Sequence, residues 1–200
     1  MSAPLAADDV LFLQRMLCAA GLYSGARDGM WSRSVDDADA KLCEMTRALA
    51  DIHGRFDQRS ECHLRTLLPR AQDAARQFLR RLREAGIDAR IISGTRSYAE
   101  QDVLYRIGRF GDPRPPATNA RGGESRHNFG LAWDIGIFQS GRYLTREAPY
   151  EAAARLRPAN VEWGGTCEVF RDAPHFHLAV GVPLSEIRAC FEGGRPFIDH

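Results

Sequence analysis

The 200-residue chain contains no run of apolar residues long enough to span a bilayer, so no membrane-inserted helix is expected. It also lacks an excess of charge of either sign. With 27 basic and 26 acidic residues the net charge is +1, and no overall field draws the chain to nucleic acid or to anionic lipid. The N-terminus, MSAPLAADDVLFLQRML, lacks the basic start and apolar run of a signal peptide, so synthesis in the cytoplasm is expected. No CxxC pair occurs. The five cysteines, Cys18, Cys43, Cys62, Cys167 and Cys190, are scattered and odd in number. That pattern argues against a disulfide framework and a cysteine-based zinc knuckle, and the expectation is buried or half-buried free thiols.

What is present is an ordinary globular composition, with 44% hydrophobic and 26% charged residues. A chain of this length suits one domain, or one domain with a small appendage, and can bury a substantial core without disulfides. The first segment reads as helical. Asp8 or Asp9 is placed to cap a helix whose stripe includes Val10, Leu13, Met16, Leu17 and Ala20, ended by Gly21. A second helical pattern carries Val35, Ala38, Leu42, Met45 and Leu49. HGRFDQRSE, near position 54, is polar and without period, which marks a soft boundary: a helical segment at 1–55 and the main domain at 56–200.

Leu67 to Ala85 is a long amphipathic helix with Leu68, Ala71, Ala75, Phe78, Leu79 and Leu82 on one face, stopped by Gly86. IDARIIS (87–93) reads as a strand, and SGTRSYAEQDVLYRIG turns into a short helix ending near Gly108. Residues 108–126 are rich in Gly, Pro and Arg and lack a period; so long a loop in a compact domain is usually functional. A strand at 131–138 puts Ala132, Asp134 and Gly136 on one face and Trp133, Ile135 and Ile137 on the other. A helix follows at about 149–156. DAPHFHLAV (172–180) is the last clear strand, with His175, His177 and Ala179 facing one way. Helices followed by a mostly antiparallel sheet make the fold class α+β.

Asp134 is the anomaly in this pattern, because Asp is a poor strand residue and costly to bury without a partner. His127 sits at the turn entering the same strand, and His175 lies on the polar face of the next one. Two histidines and a carboxylate are a suitable catalytic zinc set, with a fourth position open to water, and a metal would neutralise Asp134. Spacing alone leaves a second reading open, in which His127 is a loop histidine and Asp134 a turn or ion-pair residue. Asp172, three residues before His175 with Pro174 between them, strengthens the metal reading. A carboxylate beside zinc can take a proton from a bound water and pass it to a leaving amine.

SRHNFGLAWD resembles the S-x-H-x-x-G-x-A-x-D motif of the zinc D-Ala-D-Ala carboxypeptidases and L-alanyl-D-glutamate endopeptidases. DAPHF resembles the D-x-P-H-F of the endopeptidase branch; the carboxypeptidase branch typically has Glu where this chain has Asp172. SGTRSYAEQDVLY is similar to the family's S-G-x-R-S segment and its following Gln. The likeness runs from about residue 60 to 180 with the motifs in order. It implies a hedgehog/D,D-peptidase fold, one Zn2+ per chain held by His127, Asp134 and His175, and Asp172 as general base. It further implies Arg96 as the cation that polarises the scissile carbonyl, a role suited to developing negative charge. Ser125 and Gln101 fall on positions that help place substrate. His177 shares the His175 face, and H-x-H on a strand can bind zinc, but the family position is not a ligand, so His177 is expected beside the ligands or in the groove. Trp163 sits where the family has a Trp-Gly pair and either walls the groove or belongs to the core.

LQRMLCAAGLYSGARDGMW resembles the start of the helical peptidoglycan-binding repeat, although Ser32 replaces its usual Gly and the closing Phe-Gln is absent. Residues 1–55 are thus either a shortened wall-binding module or helices packed on the catalytic domain. Together these resemblances imply a zinc metallopeptidase acting on peptidoglycan stem peptides at L-Ala-D-Glu; a monomer, without nucleic acid or membrane insertion, is expected. The missing signal peptide suits a phage or prophage lysin. The rivals are a D-Ala-D-Ala carboxypeptidase on the same fold and a non-catalytic wall-binding protein, though a pure binder needs neither Asp172 nor Arg96.

Overall fold

The computed structural model describes residues 6–168 and 170–198. Among them the α-helices are α1 (Ala7–Ala19), α2 (Arg33–His53), α3 (Gln58–Leu64), α4 (Pro69–Glu84), α5 (Tyr98–Arg106), α6 (Ala148–Ala154) and α7 (Leu184–Glu192). The strands are β1 (Asp88–Ser93), β2 (Ala132–Gln139), β3 (Arg142–Tyr143), β4 (Val161–Trp163) and β5 (His175–Leu178). They form one sheet in the order β1-β2-β5-β4, with β3 paired to β2 and every pairing antiparallel. The expected α+β class and mainly antiparallel sheet are what the chain adopts. No helix among the described residues is long and apolar enough to cross a membrane.

Two compact units are distinguishable, each assembled from separated stretches. One takes residues up to Met45, Arg96–Phe129 and Val180 onward; the other takes Thr46–Thr95 and Gly130–Ala179. In the first, Leu17, Val35, Ala38 and Leu42 form a buried cluster, with Leu13, Leu22 and Tyr23 against it. An aromatic chain also runs through this unit: Phe12 meets Phe191, Phe191 meets Phe129, and Phe129 meets Tyr98, at centroid distances of 5.6, 5.3 and 6.2 Å. Phe129 closes the 3-10 turn Arg126–Phe129, so burial of its ring fixes that turn in place.

In the second unit, α4 lays its apolar stripe against the sheet, and Phe78 lies 4.8 Å from the ring of Phe176. Trp133, Ile135, Ile137, Phe176 and Leu178 are all buried on that sheet face, as strand alternation requires. Pro69 opens α4, where its missing N–H costs nothing, and Gly86, at φ 74°, follows the helix in a backbone that favours glycine. Arg76 of α4 is fully buried and grips Glu61 of α3 with two bonds, of 3.0 and 2.6 Å.

Several local expectations are corrected. The cap of α1 is Ala6, while Asp8 and Asp9 lie in the first turn, where their charge suits the helix dipole. HGRFDQRSE is not featureless: Asp57 caps α3 through Ser60 N–H, a helix of seven residues too short to show a stripe. α4 begins at Pro69, after two buried leucines, and β5 starts only at His175 because Pro174 has no N–H for a ladder. Met45 is exposed. The free cysteines include Cys43, Cys62 and Cys167 on the surface, and only Cys18 is fully buried. β3, β4 and α7 are elements the pattern did not reveal.

Candidate metal centre

The ladder between β2 and β5 does most of the positioning. Ala132 pairs with His177, Trp133 with Phe176 and Asp134 with His175. Backbone bonds run from Ile135 N–H to Pro174 C=O and from Leu178 N–H to Leu131 C=O, both 2.9 Å. The bonded positions therefore alternate with Asp134–His175, which is a non-hydrogen-bonded pair, the kind whose side chains come closest. The His175 Nδ1 to Asp134 Oδ1 distance is 3.2 Å. A slip of one residue in β2 would send Asp134 into the apolar face, and one in β5 would send His175 there, so the core that fixes the register also fixes this pair.

His127 reaches its place by a different route. It is buried in the 3-10 turn Arg126–Phe129, where its N–H donates to Ser125 Oγ (3.3 Å) and its C=O accepts from Arg96 N–H (3.1 Å). The fully buried Asn128 knits the surrounding loop. Its Oδ1 accepts from Gly123 N–H, and its Nδ2 donates to the carbonyls of Arg96 and Ser97. His127, Asp134 and His175 each offer a ligand atom, and these atoms all lie within 4.8 Å of one another. Ligands about 2 Å from a tetrahedral ion stand roughly 3.3 Å apart, so the Asp134–His175 pair is already at ligand spacing, and two imidazoles with one carboxylate are a donor set that suits zinc. His177 is outside this group. It shares the His175 face at a ring distance of 5.4 Å, and its Nε2 lies 2.8 Å from Glu162 Oε2.

Arg96 stands just before α5, whose start is fastened by a reciprocal Ser97–Glu100 capping box. Its Nη1 donates to Gln101 Oε1 at 2.9 Å. Gln101 is fully buried, and its amide nitrogen donates to Ala120 C=O at 3.0 Å. Gln101, expected to help place substrate, has both ends of its amide bonded inside the protein. Ser125, also expected to place substrate, uses its hydroxyl to shape the His127 turn. Asp172 donates its N–H to Gly164 C=O and accepts at its C=O from His175 N–H, both 3.2 Å. Trp163 is half-buried, stacked on Phe176 at 6.4 Å, and its indole N–H donates to Ala173 C=O at 2.8 Å.

Neither periodicity nor spacing marks Asn128, Glu162 or His63 as functional. Of these, Asn128 had a signal, since it lies inside SRHNFGLAWD. His63 is half-buried at the end of α3. Burial, then the charge of Arg59, push its imidazole below the usual range, against the opposing field of Asp134.

Residues 64–158 match the family model described as VanY: D-alanyl-D-alanine carboxypeptidase. The matched stretch contains Arg96, His127 and Asp134 and ends before Asp172 and His175. Peptidoglycan L-alanyl-D-glutamate endopeptidase CwlK of Bacillus subtilis (strain 168) is 36% identical over 104 residues, which cover 46% of this chain and 62% of that protein. The chain thus spans less than two thirds of this relative's length. The crystal structure of the Serratia marcescens L-Ala D-Glu endopeptidase ChiX aligns with a TM-score of 0.47 at 30% identity, covering 65% of this chain and 94% of that one.

Proposed function

We propose that the chain is a member of the family of peptidoglycan D-alanyl-D-alanine carboxypeptidases and L-alanyl-D-glutamate endopeptidases, and from that premise that it is a zinc metallopeptidase that cuts cell-wall stem peptides between L-Ala and D-Glu. The observation that carries this reading is the convergence of the His127, Asp134 and His175 ligand atoms within 4.8 Å. A zinc ion held by these three residues would supply Lewis acidity and make a water nucleophilic near neutral pH. Asp172 takes the proton from the attacking water and delivers it to the leaving amine. Arg96 offers its guanidinium to the scissile carbonyl oxygen as negative charge grows there. Gln101 positions Arg96 by accepting from Nη1. Ser125 and Asn128 hold the His127 turn, and His177, with its Glu162 partner, lies beside the ligands.

Aspartate and not glutamate at 172 supports the endopeptidase branch over the carboxypeptidase branch, while the match of residues 64–158 to a D-alanyl-D-alanine carboxypeptidase family keeps the latter as the second reading. Mass spectrometry of purified muropeptides incubated with the zinc-loaded protein separates the two: the proposed activity splits the stem at L-Ala-D-Glu, and the second reading frees terminal D-Ala. Unchanged muropeptides would reject both. We assign the bacterial wall as the place of action, a phage or prophage lysin as the biological setting and a monomer as the acting form. Residues 1–55 are assigned to wall binding, which raises local concentration on an insoluble polymer without altering the chemistry.

A further inference from the structure

We infer that Trp163 and Gly164 form a template that sets the placement of Asp172 relative to His175, so that this Trp-Gly turn is a positioning element for catalysis and not a wall of the substrate groove. The inference rests on the proposed roles of Asp172 and His175. It starts from the four-residue link Asp172–His175, which must hold a proton acceptor and a metal ligand at a fixed separation. Each carbonyl before His175 in this link is tied down. Asp172 C=O accepts from His175 N–H, Ala173 C=O from the Trp163 indole, and Pro174 C=O from Ile135 N–H, at 3.2, 2.8 and 2.9 Å. The link's first N–H, that of Asp172, donates to Gly164 C=O. Two of these four ties therefore come from consecutive residues of one turn.

The turn itself is locked. Trp163 pairs with Phe176 across β4 and β5 and stacks on its ring at an interplanar angle of 22°. Phe176 is fully buried against Phe78, so the indole is aimed by the core. The two glycines after it are required by space. Neither has a positive φ, so backbone freedom is not their purpose. A Cβ on Gly164 would stand 2.8 Å from Asp172 O and 3.0 Å from His175 Cβ. A Cβ on Gly165 would stand 2.1 Å from the Trp163 ring, which folds back over it. Any side chain at 164 must therefore push on the proton acceptor's backbone, on the ligand, or on both. A tryptophan that merely lined a groove would need neither the hydrogen bond to Ala173 nor the bare glycine against Asp172.

The test compares Trp163→Phe and Gly164→Ala with Val161→Ala, a control that removes a buried side chain from the same strand without touching the link. Zinc affinity by chelator competition, melting temperature, and kcat and KM on a soluble muropeptide are measured on the full chain. Residues that orient ligands typically cost roughly 10–100-fold in metal affinity or activity. Gly164→Ala is expected to lose roughly that much in both zinc affinity and kcat, with KM little changed. Trp163→Phe keeps the ring stack and loses only the donor, so it is expected to lower kcat about tenfold, at the lower end of that range, with a melting temperature close to wild type. Val161→Ala lowers the melting temperature and leaves zinc affinity and kcat as they were. If Gly164→Ala and Trp163→Phe lose no more zinc affinity or kcat than Val161→Ala, the template is refuted. Should Gly164→Ala fail to fold, Trp163→Phe decides alone, and wild-type kcat in it overturns the inference. A wild-type chain that binds no zinc or cleaves no muropeptide refutes the proposed function instead.

Discussion

The two arms of the candidate centre are built on opposite principles. Asp134 and His175 face each other across a backbone ladder, and their register is set by buried residues on the reverse face of the sheet. His127 sits in a 3-10 turn whose shape depends on a few side-chain bonds from Ser125 and Asn128 and on the buried ring of Phe129. A ladder distributes its hold over many backbone bonds, so no single side chain is indispensable. A turn concentrates its hold, so one amide can matter as much as a core residue. The strand arm should therefore tolerate conservative core changes, and the turn arm should not tolerate loss of a polar side chain.

The largest effect is expected where chemistry and not scaffolding is removed. Asp172→Asn should keep zinc and the melting temperature but lose roughly 10²–10⁴-fold in kcat, the range for a general base; wild-type turnover there would remove Asp172 from the mechanism. Next comes the turn arm. Asn128→Ala leaves buried partners unsatisfied and should cost about 1–3 kcal/mol in a denaturant melt, together with a roughly 10–100-fold fall in zinc affinity. The matched change in the strand arm, Ile135→Val, should cost about 0.5–1.5 kcal/mol and leave zinc affinity alone. Equal losses of zinc affinity in the two variants would erase the contrast between the arms.

The scaffold's pH dependence sharpens the comparison further, because it resides in neither arm. Burial raises the Glu61 carboxyl, but hydrogen bonds from Arg76 and Phe56 N–H and the charge of Arg76 outweigh it and hold the group below its usual value. A depressed carboxylate adds stability that is present above its unfolded pKa, near 4.5, and is lost as pH falls through the folded value. Glu61→Gln should therefore lower the melting temperature at neutral pH and flatten its fall between about pH 5 and 3. An unchanged acid limb in that variant would deny the Glu61–Arg76 pair this role. Smallest of all, Ser125→Ala should lower zinc affinity less than Asn128→Ala, since the turn keeps the Asn128 ties; thermal melts with and without zinc would show the difference.

Alternation of small polar and bulky apolar residues in 131–138 and 172–180 was enough to reveal both central strands and the face bearing Asp134 and His175. The amphipathic stripe from Leu68 to Leu82 was enough for α4. What stayed hidden has physical reasons. α3 has seven residues and β4 three, too few to express a period. The burial of Gln101 is not legible, because a buried amide and an exposed one are the same letter; only the Arg96 and Ala120 partners reveal it. Asn128 was passed over inside its own motif because its job is to bond backbone, and the residues that need those bonds lie some thirty positions away. Trp163 was recognisable as part of a motif, yet its orientation toward Ala173 is a tertiary fact.

The proposed chemistry turns on three named ligands, so zinc content measured by atomic emission in His127→Ala, Asp134→Ala, His175→Ala and His177→Ala tests it most directly. The expected result is about one zinc per chain in the wild type and in His177→Ala, with most of the metal lost from each of the other three. Full zinc in His127→Ala with loss in His177→Ala would contradict the ligand set and the mechanism built on it.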